Sequence, residues 1–461
     1  MKSSMIPLVL TIIILIFSGL GAATVSSEQL APYLEADIDW QRARGETIKI
    51  LVSPHHFWKL THALAPQFEK LTGVKVAWEF VPPRKLREKS VLDLAAGTAF
   101  YATHSTDCMY YAMYAKNGWV EPLDKYLNDS TLTDSKWYDV EDVFPGWREF
   151  NTLGGTLWGM PVEGLVSFLY YRDDLYEKYG LREPDTLEEL MTNADKLNDP
   201  PNIYGIALRG MQGSGQNYYI YSSLFNEFGG VWFNKKMEPL VNSEPGIKAL
   251  TYYVDILQKY GPPGVSGWNW DSIVAAMQQE KIAQFIDNSS YGPLLQDPAK
   301  SRVVGKVGFA RWPKGPTGIR SAGLWNWGLS INADVDLRKK IAAWLFIQWA
   351  TSKETQYRTA FLTTEEYKVP SRFDVNRASI MEDKKFRNQY GEKDFLDVVF
   401  TSIQKDTRPD WRPRIPEYGE IGDTMALVIQ QALIGEKSVN GALNWANKKI
   451  EDTMRRAGYF D

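Results

Sequence analysis

Residues 47–97 read TIKILVSPHHFWKLTHALAPQFEKLTGVKVAWEFVPPRKLREKSVLDLAAG, and the spacing of apolar residues changes period three times along them. Thr47 to Val52 is a β-branched apolar run of the kind that forms a buried strand. A helical pattern follows, in which Leu60, Leu64, Phe68 and Leu71 share one face and Gly73 supplies the stop. Pro66 sits inside that pattern, which predicts a kink or a late start to the helix. Val74 to Val81 alternates as a second strand, and Pro82 and Pro83 open a second helix that runs to Gly97. Strand, helix, strand, helix predicts an α/β fold on a mostly parallel sheet with helices on its faces.

The same alternation continues downstream. Gly155 to Pro161 reads as a turn and short strand, followed by the apolar strand Leu165 to Tyr171. Asp185 is placed to N-cap a helix, with Glu188 completing a capping box. Pro245 starts a helix with the stripe Ile247, Leu250, Val254 and Leu257. Leu337, Ile341, Leu345 and Gln348 lie along one face of a helix ending near Thr351, and two further helices end at Gly435 and Gly458. The Pro/Gly-rich breaks at 260–267 and 312–318 read as loops. Upstream, residues 1–23 read as a cleaved secretory signal. Lys2 supplies the charged end, Ile6 to Phe17 the apolar run, and Ser18 to Ala23 the small residues. The apolar run is shorter than the ~20 residues needed to span a bilayer. The expectation is an exported, periplasmic protein.

Composition narrows the function. Of the 461 residues, 44% are hydrophobic and 23% charged, as in an ordinary globular chain with room for two sizeable cores. The net charge of −4 comes without a basic tract, which gives no electrostatic reason for a nucleic-acid partner. Cys108 is the only cysteine, so an internal disulfide, a Cys-based zinc site and an iron–sulfur cluster are excluded; it reads as a small buried hydrophobe. The four histidines have no metal-ligand spacing, and no nucleophile-elbow, phosphate-loop or dinucleotide motif occurs. Asp107, Glu163, Asp271 and Asp287 stand beside aromatics and leave glycoside hydrolysis open, because two carboxylates carry no spacing signature.

The unusual term is aromatic, with 17 Trp, 24 Tyr and 20 Phe. Several of these rings stand with polar groups in loops: His55, His56 and Trp58; Asp107 and Tyr111; Trp268, Asn269 and Trp270; Asp287 and Tyr291; Trp325, Asn326 and Trp327. A sugar presents an apolar C–H face and a belt of hydroxyls, so a ring to cover the face and a carboxylate, amide or imidazole to take the hydroxyls are needed together. In each Trp pair one ring is expected in the core, and Trp270 and Trp325 are the candidates for the ligand side. Asp107 is expected both to cap the helix after it and to accept from a ligand.

Collinear motifs then point to a family. LAPQFEKLTGVKV (64–76), GGTLWGMPV (154–162), LYYRDDLYEKYGL (169–181), PDTLEEL (184–190), GKVGFARWPKGP (305–316), SIN (330–332) and GALNWANKKI (441–450) resemble, in that order, elements of the family 1 extracellular solute-binding proteins. These are the maltose-binding-protein-like receptors of bacterial ABC importers. Leu187 stands where that family usually has Trp. The resemblance implies the two-lobe, type II periplasmic-binding-protein fold, with hinge strands between lobes and the ligand in the cleft. It places lobe 1 at 46–162 plus 306–352 and lobe 2 at 163–305 plus 353–461. Crossings are expected near Pro161–Gly164, near Val304–Lys306 and just after Thr351.

Carried over by position, the resemblance puts His55 and His56 in a ligand loop and Asp107 at the lip of lobe 1. Tyr218, Tyr219, Ser290 and Tyr291 fall at stacking positions, Tyr418 to Gly422 near another, and Arg372 in a Pro-x-Arg turn of the subgroup for monosaccharides or sugar alcohols. The function implied is the binding component of an importer, closing its lobes on a mono- or oligosaccharide or a sugar alcohol. It implies a permease partner, a monomer, and no catalytic residue, cofactor or metal. The alternatives are an exported glycan-active enzyme and a receptor for a non-sugar solute.

Overall fold

The computed structural model describes residues 25–364, 374–390 and 395–460. The leader expected at 1–23 lies outside them. The strands are β1 (Thr47–Val52), β2 (Lys75–Phe80), β3 (Thr103–Asp107), β4 (Thr152–Leu153), β5 (Thr156–Leu157), β6 (Met160–Arg172), β7 (Gln284–Asn288), β8 (Val307–Ala310) and β9 (Leu324–Ile331). β4 and β5 form a small hairpin, and the others one sheet in the order β2-β1-β3-β9-β6-β7, with β8 also on β6.

The sheet is mixed rather than mostly parallel. β1 pairs parallel with β2 and β3, as strand–helix–strand units require. β9 is antiparallel to both β3 and β6, and β7 and β8 are antiparallel to β6. The thirteen-residue β6 is the long member. Met160–Val166 pairs with β9, and Ser167–Arg172 pairs with β7 and β8, so one strand belongs to both halves of the sheet. Two lobes follow. Leu337–Thr351 packs on β1 and on His56–Thr72 in the first, while Asn217–Glu227, Glu244–Tyr260, Tyr418–Leu433 and Val439–Arg456 pack together in the second.

The chain changes sides later than the motif spacing suggests. β8 still lies beside Leu169–Arg172, so β9 carries the chain back, beyond the expected Val304–Lys306. The helix Lys353–Phe361 packs on His56–Thr72, so the chain also stays with the first half past Thr351.

Two local expectations need correction. The helix His56–Thr72 runs unbroken through Pro66, because its buried face of Phe57, Leu60, Leu64, Phe68 and Leu71 holds it against the core despite one missing N–H; it stops at Gly73, at φ 70°. The capping box is one residue later than expected. Thr186 Oγ accepts from the N–H of Glu189 (3.2 Å) and the Glu189 carboxylate accepts from the N–H of Thr186 (3.0 Å). Asp185 instead receives Lys314 (2.8 Å) and Arg320.

Asp93 ties the helix Pro83–Ala96 to the sheet. Its carboxylate accepts from the N–H of Phe100 (3.0 Å), from Asn332 Nδ2 (3.3 Å) after β9, and from the Thr98 hydroxyl, and it lies 3.1 Å from Nε2 of buried His104 in β3. Burial raises its pKa, but His104, Thr98 and Phe100 outweigh that and hold it at about 2. A depressed carboxylate pKa contributes stability above the unfolded value of about 3.9 and loses it as the pH falls to about 2. We therefore expect Asp93→Ala to cost about 3 kcal/mol in urea unfolding at pH 7. The gap to the unsubstituted protein should narrow steadily between about pH 4 and pH 2.

Candidate functional site

A cavity of about 410 Å³ lies where β6 and β9 pass between the halves of the sheet. The first half lines it with Pro54, His55 and His56 after β1, Arg87 on the helix Pro83–Ala96, and Trp325 and Trp327 on β9. The second lines it with Arg209, Gln216, Tyr219, Trp270, Asn288, Ser290 and Tyr291; Glu163 and Leu165 of β6 and Asp374 complete the wall.

The two tryptophans face the same way because side chains on a strand alternate, so Trp325 and Trp327 share one face and Asn326 the other. Trp270 opens the helix Trp270–Gln278, whose N-cap Asn269 accepts from the N–H of Ser272 (3.0 Å). That cap aims the Trp270 ring parallel to Tyr291, with centroids 5.6 Å apart and planes 8° apart.

Charge enters as fixed pairs. Arg87 donates to Asp107 from Nε (2.7 Å) and Nη2 (2.6 Å) while its guanidinium stands 5.1 Å from the Trp327 ring. Arg209 donates to Asp287 from Nε (2.8 Å) and Nη2 (2.5 Å) and to the Tyr291 hydroxyl (3.1 Å). Its guanidinium stands 4.8 Å from the Tyr219 ring. Both carboxylates are buried behind their arginines, so each cation meets the cavity with its charge offset. His55 Nδ1 lies 2.6 Å from Glu163 Oε1, with its ring edge-on to Trp327 at 5.7 Å. Burial pulls the His55 imidazole down, but the carboxylates of Glu163 and Asp374 outweigh it and hold the pKa above its ordinary value. Burial pushes the Cys108 thiol up to about 12, so it carries no thiolate at neutral pH. Among the described residues no group of three His, Cys, Asp or Glu side chains is placed to hold a metal ion.

The residues singled out from the sequence divide into three sets. His55, His56, Tyr219, Trp270, Tyr291 and Trp325 line the cavity. Asp107 and Asp287 stand one step behind it, through their arginines. Trp58, Tyr111, Tyr218 and Asn326 do not reach it. Trp58 turns into the core against Phe57 (centroids 4.6 Å) and Trp78. Tyr111 is buried so close to Gly159 and Gly328 that a Cβ on either would collide with its hydroxyl. Tyr218 is buried beneath Arg412 (4.5 Å), which also takes the Tyr418 hydroxyl as acceptor. Asn326 points away and donates to the carbonyl of Trp147 (3.0 Å). Arg372 lies outside the described residues. Sequence reasoning missed Arg87, Arg209, Trp327 and Asp374; only Trp327 had a local signal, its strand alternation with Trp325.

The family model described as bacterial extracellular solute-binding protein matches residues 59–357. The mannitol-binding protein of Pseudomonas aeruginosa is 30% identical over 430 residues, covering 90% of this chain and 94% of its own. The erythritol/L-threitol-binding protein of Mycolicibacterium smegmatis is 28% identical over 88% of each chain. A solved ABC transporter solute-binding protein from Agrobacterium radiobacter, in complex with ribitol, superimposes with a TM-score of 0.77 at 29% identity, over 89% of this chain and 99% of that one.

The His55–Glu163 pair has a pH signature. Because the folded pKa is raised, protonated His55 contributes stability that is fully present below about pH 6.5 and lost as the pH rises through the raised value. Glu163→Gln should bring the His55 titration, followed by NMR of its ring protons, down below about 6.5, and should flatten that part of the stability profile.

Proposed function

The chain belongs to the bacterial extracellular solute-binding proteins, and from that premise we propose that it is the periplasmic receptor of an ABC importer for an acyclic sugar alcohol. The observation that carries this is the lining of the cavity: ring faces from Trp270, Tyr291, Trp325, Trp327 and Tyr219 beside arginines already neutralised by Asp107 and Asp287. Rings cover C–H surface, and paired polar groups take neutral hydroxyls without demanding a counter-charge. A volume of about 410 Å³ is at the low end of the roughly 300–1,000 Å³ of small-molecule sites, which favours one small polyol over an oligosaccharide. The relatives' mannitol, erythritol and threitol, and the ribitol of the solved structure, differ in length but are all open chains of hydroxyl-bearing carbons.

In this reading β6 and β9 are the hinge. One lobe takes the polyol and the other closes, exchanging its water for ring faces and aligned donors. The loaded, monomeric receptor then meets the permease, with no covalent step. Asp107 and Asp287, which a glycosidase could use, are locked to arginines, and Glu163 is held by His55. Among the described residues no helix is long and apolar enough to cross a membrane.

Calorimetry and thermal shift on protein purified from residue 24 onward test the proposal against mannitol, ribitol, erythritol, maltose and putrescine. We expect one polyol to bind at one per chain and be recovered unchanged, adding about 2.7 kcal/mol at 100 times its Kd. Tight binding of maltose or putrescine alone, or consumption of the ligand, would sink the reading. Trp325→Ala should weaken polyol binding by about 1.5–3 kcal/mol, tenfold or more in Kd, at unchanged stoichiometry.

A further inference from the structure

Behind Tyr219 and Trp325, out of the cavity, lies the guanidinium of Arg412, only 1% exposed. Its donors go to neutral acceptors: Nε to the Ser222 hydroxyl (3.1 Å), Nη1 to the Tyr418 hydroxyl (2.5 Å) and Nη2 to the carbonyl of Ser214 (2.7 Å). Among the described residues it forms no ion pair, and Asp107 is already taken by Arg87. Its charge acts on Asp107 only at a distance, and a buried cation with no carboxylate in contact is costly, so that an apolar residue of similar volume often serves stability as well or better. What surrounds Arg412 is aromatic: its Cζ is 4.4 Å from the Trp411 ring centroid, 4.5 Å from Tyr218, 5.4 Å from Trp325 and 5.5 Å from Tyr219.

The last two rings are cavity walls, and each has a second guanidinium beside it. Arg87 stands 5.6 Å from Trp325, and Arg209 stands 4.8 Å from Tyr219. Cations and rings therefore alternate in one file, Arg87, Trp325, Arg412, Tyr219, Arg209, that begins in the first lobe and ends in the second. The outer cations are fixed by Asp107 and Asp287. The middle one is fixed by its own loop. The carbonyl of Trp411 accepts from Asn226 Nδ2 (2.9 Å) and Trp232 Nε1 (3.1 Å), and Arg414 Nη2 donates to the carbonyls of Glu149 (3.0 Å), Phe150 (3.1 Å) and Thr152 (2.5 Å) across the lobe junction.

We propose that Arg412 is a positioning residue of the binding site: without touching the ligand, it holds the faces of Tyr219 and Trp325 at the angle the ligand meets. This rests on the reading of the cavity as a sugar-alcohol site. The guanidinium is suited to the task because its delocalised charge can attract several rings around it at once while its edge donors fix its own orientation.

The test compares Arg412→Met and Arg412→Lys with the unsubstituted protein, using mannitol as the probe. Arg412→Met, which keeps volume but no charge, is expected to stay folded by far-UV circular dichroism and to bind about tenfold more weakly. Arg412→Lys, which restores the cation without the flat donor edge, is expected to recover part of that loss. A folded Arg412→Met or Arg412→Lys with the unsubstituted protein's Kd would overturn the proposal. If Arg412→Met does not fold, Arg412→Lys decides alone, and a rise of at least about threefold supports the role.

A second readout needs no ligand. The near-UV contribution of Trp325, taken as the difference between each protein and its Trp325→Phe counterpart, should collapse in Arg412→Met and be partly retained in Arg412→Lys, and an unchanged contribution in Arg412→Met would overturn the inference. Should the unsubstituted protein bind no sugar alcohol, the proposed function fails, and this ligand-free measurement still judges Arg412.

Discussion

Thirteen consecutive residues, Met160–Arg172, have to satisfy strand partners on two sides of the molecule at once, and the positions of Glu163, Trp325, Trp327, Asp107 and Asp287 follow from how they do it. Buried backbone groups must be paired, so Met160–Val166 is committed to β9 and Ser167–Arg172 to β7 and β8, with no slack between. The register shifts between Pro161 and Glu163, where Asn376 Nδ2 covers the carbonyl of Pro161 at 2.6 Å. A bulge of that kind re-aims the side chains that follow it, and the first is Glu163, which reaches the cavity and His55. Gly164 comes next because the Trp147 ring passes directly against its backbone, and a Cβ there would overlap it.

That strand fixes where the charges stand, and their pairing fixes what they can recognise. An arginine free in a cavity selects an anion, because leaving it unpaired in a dry site costs more than the hydrogen bonds regain. Here Arg87 and Arg209 each bring their own buried carboxylate. They therefore offer oriented N–H edges and ring-stacking faces at nearly zero net charge. Selection falls to the shape of the ring walls and the direction of the hydroxyls, which suits a neutral polyol.

Much of the fold was legible in the sequence, because it is written in local periods. The stretch from Thr47 to Gly97 shows both strands and both helices within a residue or two, and the glycines that stop those helices do so for the steric reason expected of them. Errors arose where tertiary packing overrides a local rule. Pro66 sits within a helix because ten buried neighbours in that helix hold it. Asp185 loses the cap to Thr186 because Lys314 and Arg320 compete for its carboxylate. The site was half legible. Rings with polar neighbours announced Trp270, Tyr291 and Trp325, the family resemblance added Tyr219, and period-two alternation already contained Trp327. Arg87 and Arg209 carried no signal, since an arginine on a helix face or in a loop is ordinary until the fold brings a buried aspartate from a distant strand against it.

The same pairing bears on release. A receptor has to hold its cargo and then surrender it, so the empty cleft must be an acceptable state. Were Arg87 and Arg209 satisfied only by the ligand, emptying the site would leave two desolvated cations and a large penalty against letting go. With Asp107 and Asp287 in place, and Glu163 on His55, the charged groups have partners without any ligand. On the proposed reading, water can stand in for the ligand's hydroxyls without leaving a cation unpaired. On that same reading, the free energy between the loaded and empty states would come from ring faces covered or uncovered and hydroxyl bonds exchanged for water, without a term for stranded charge.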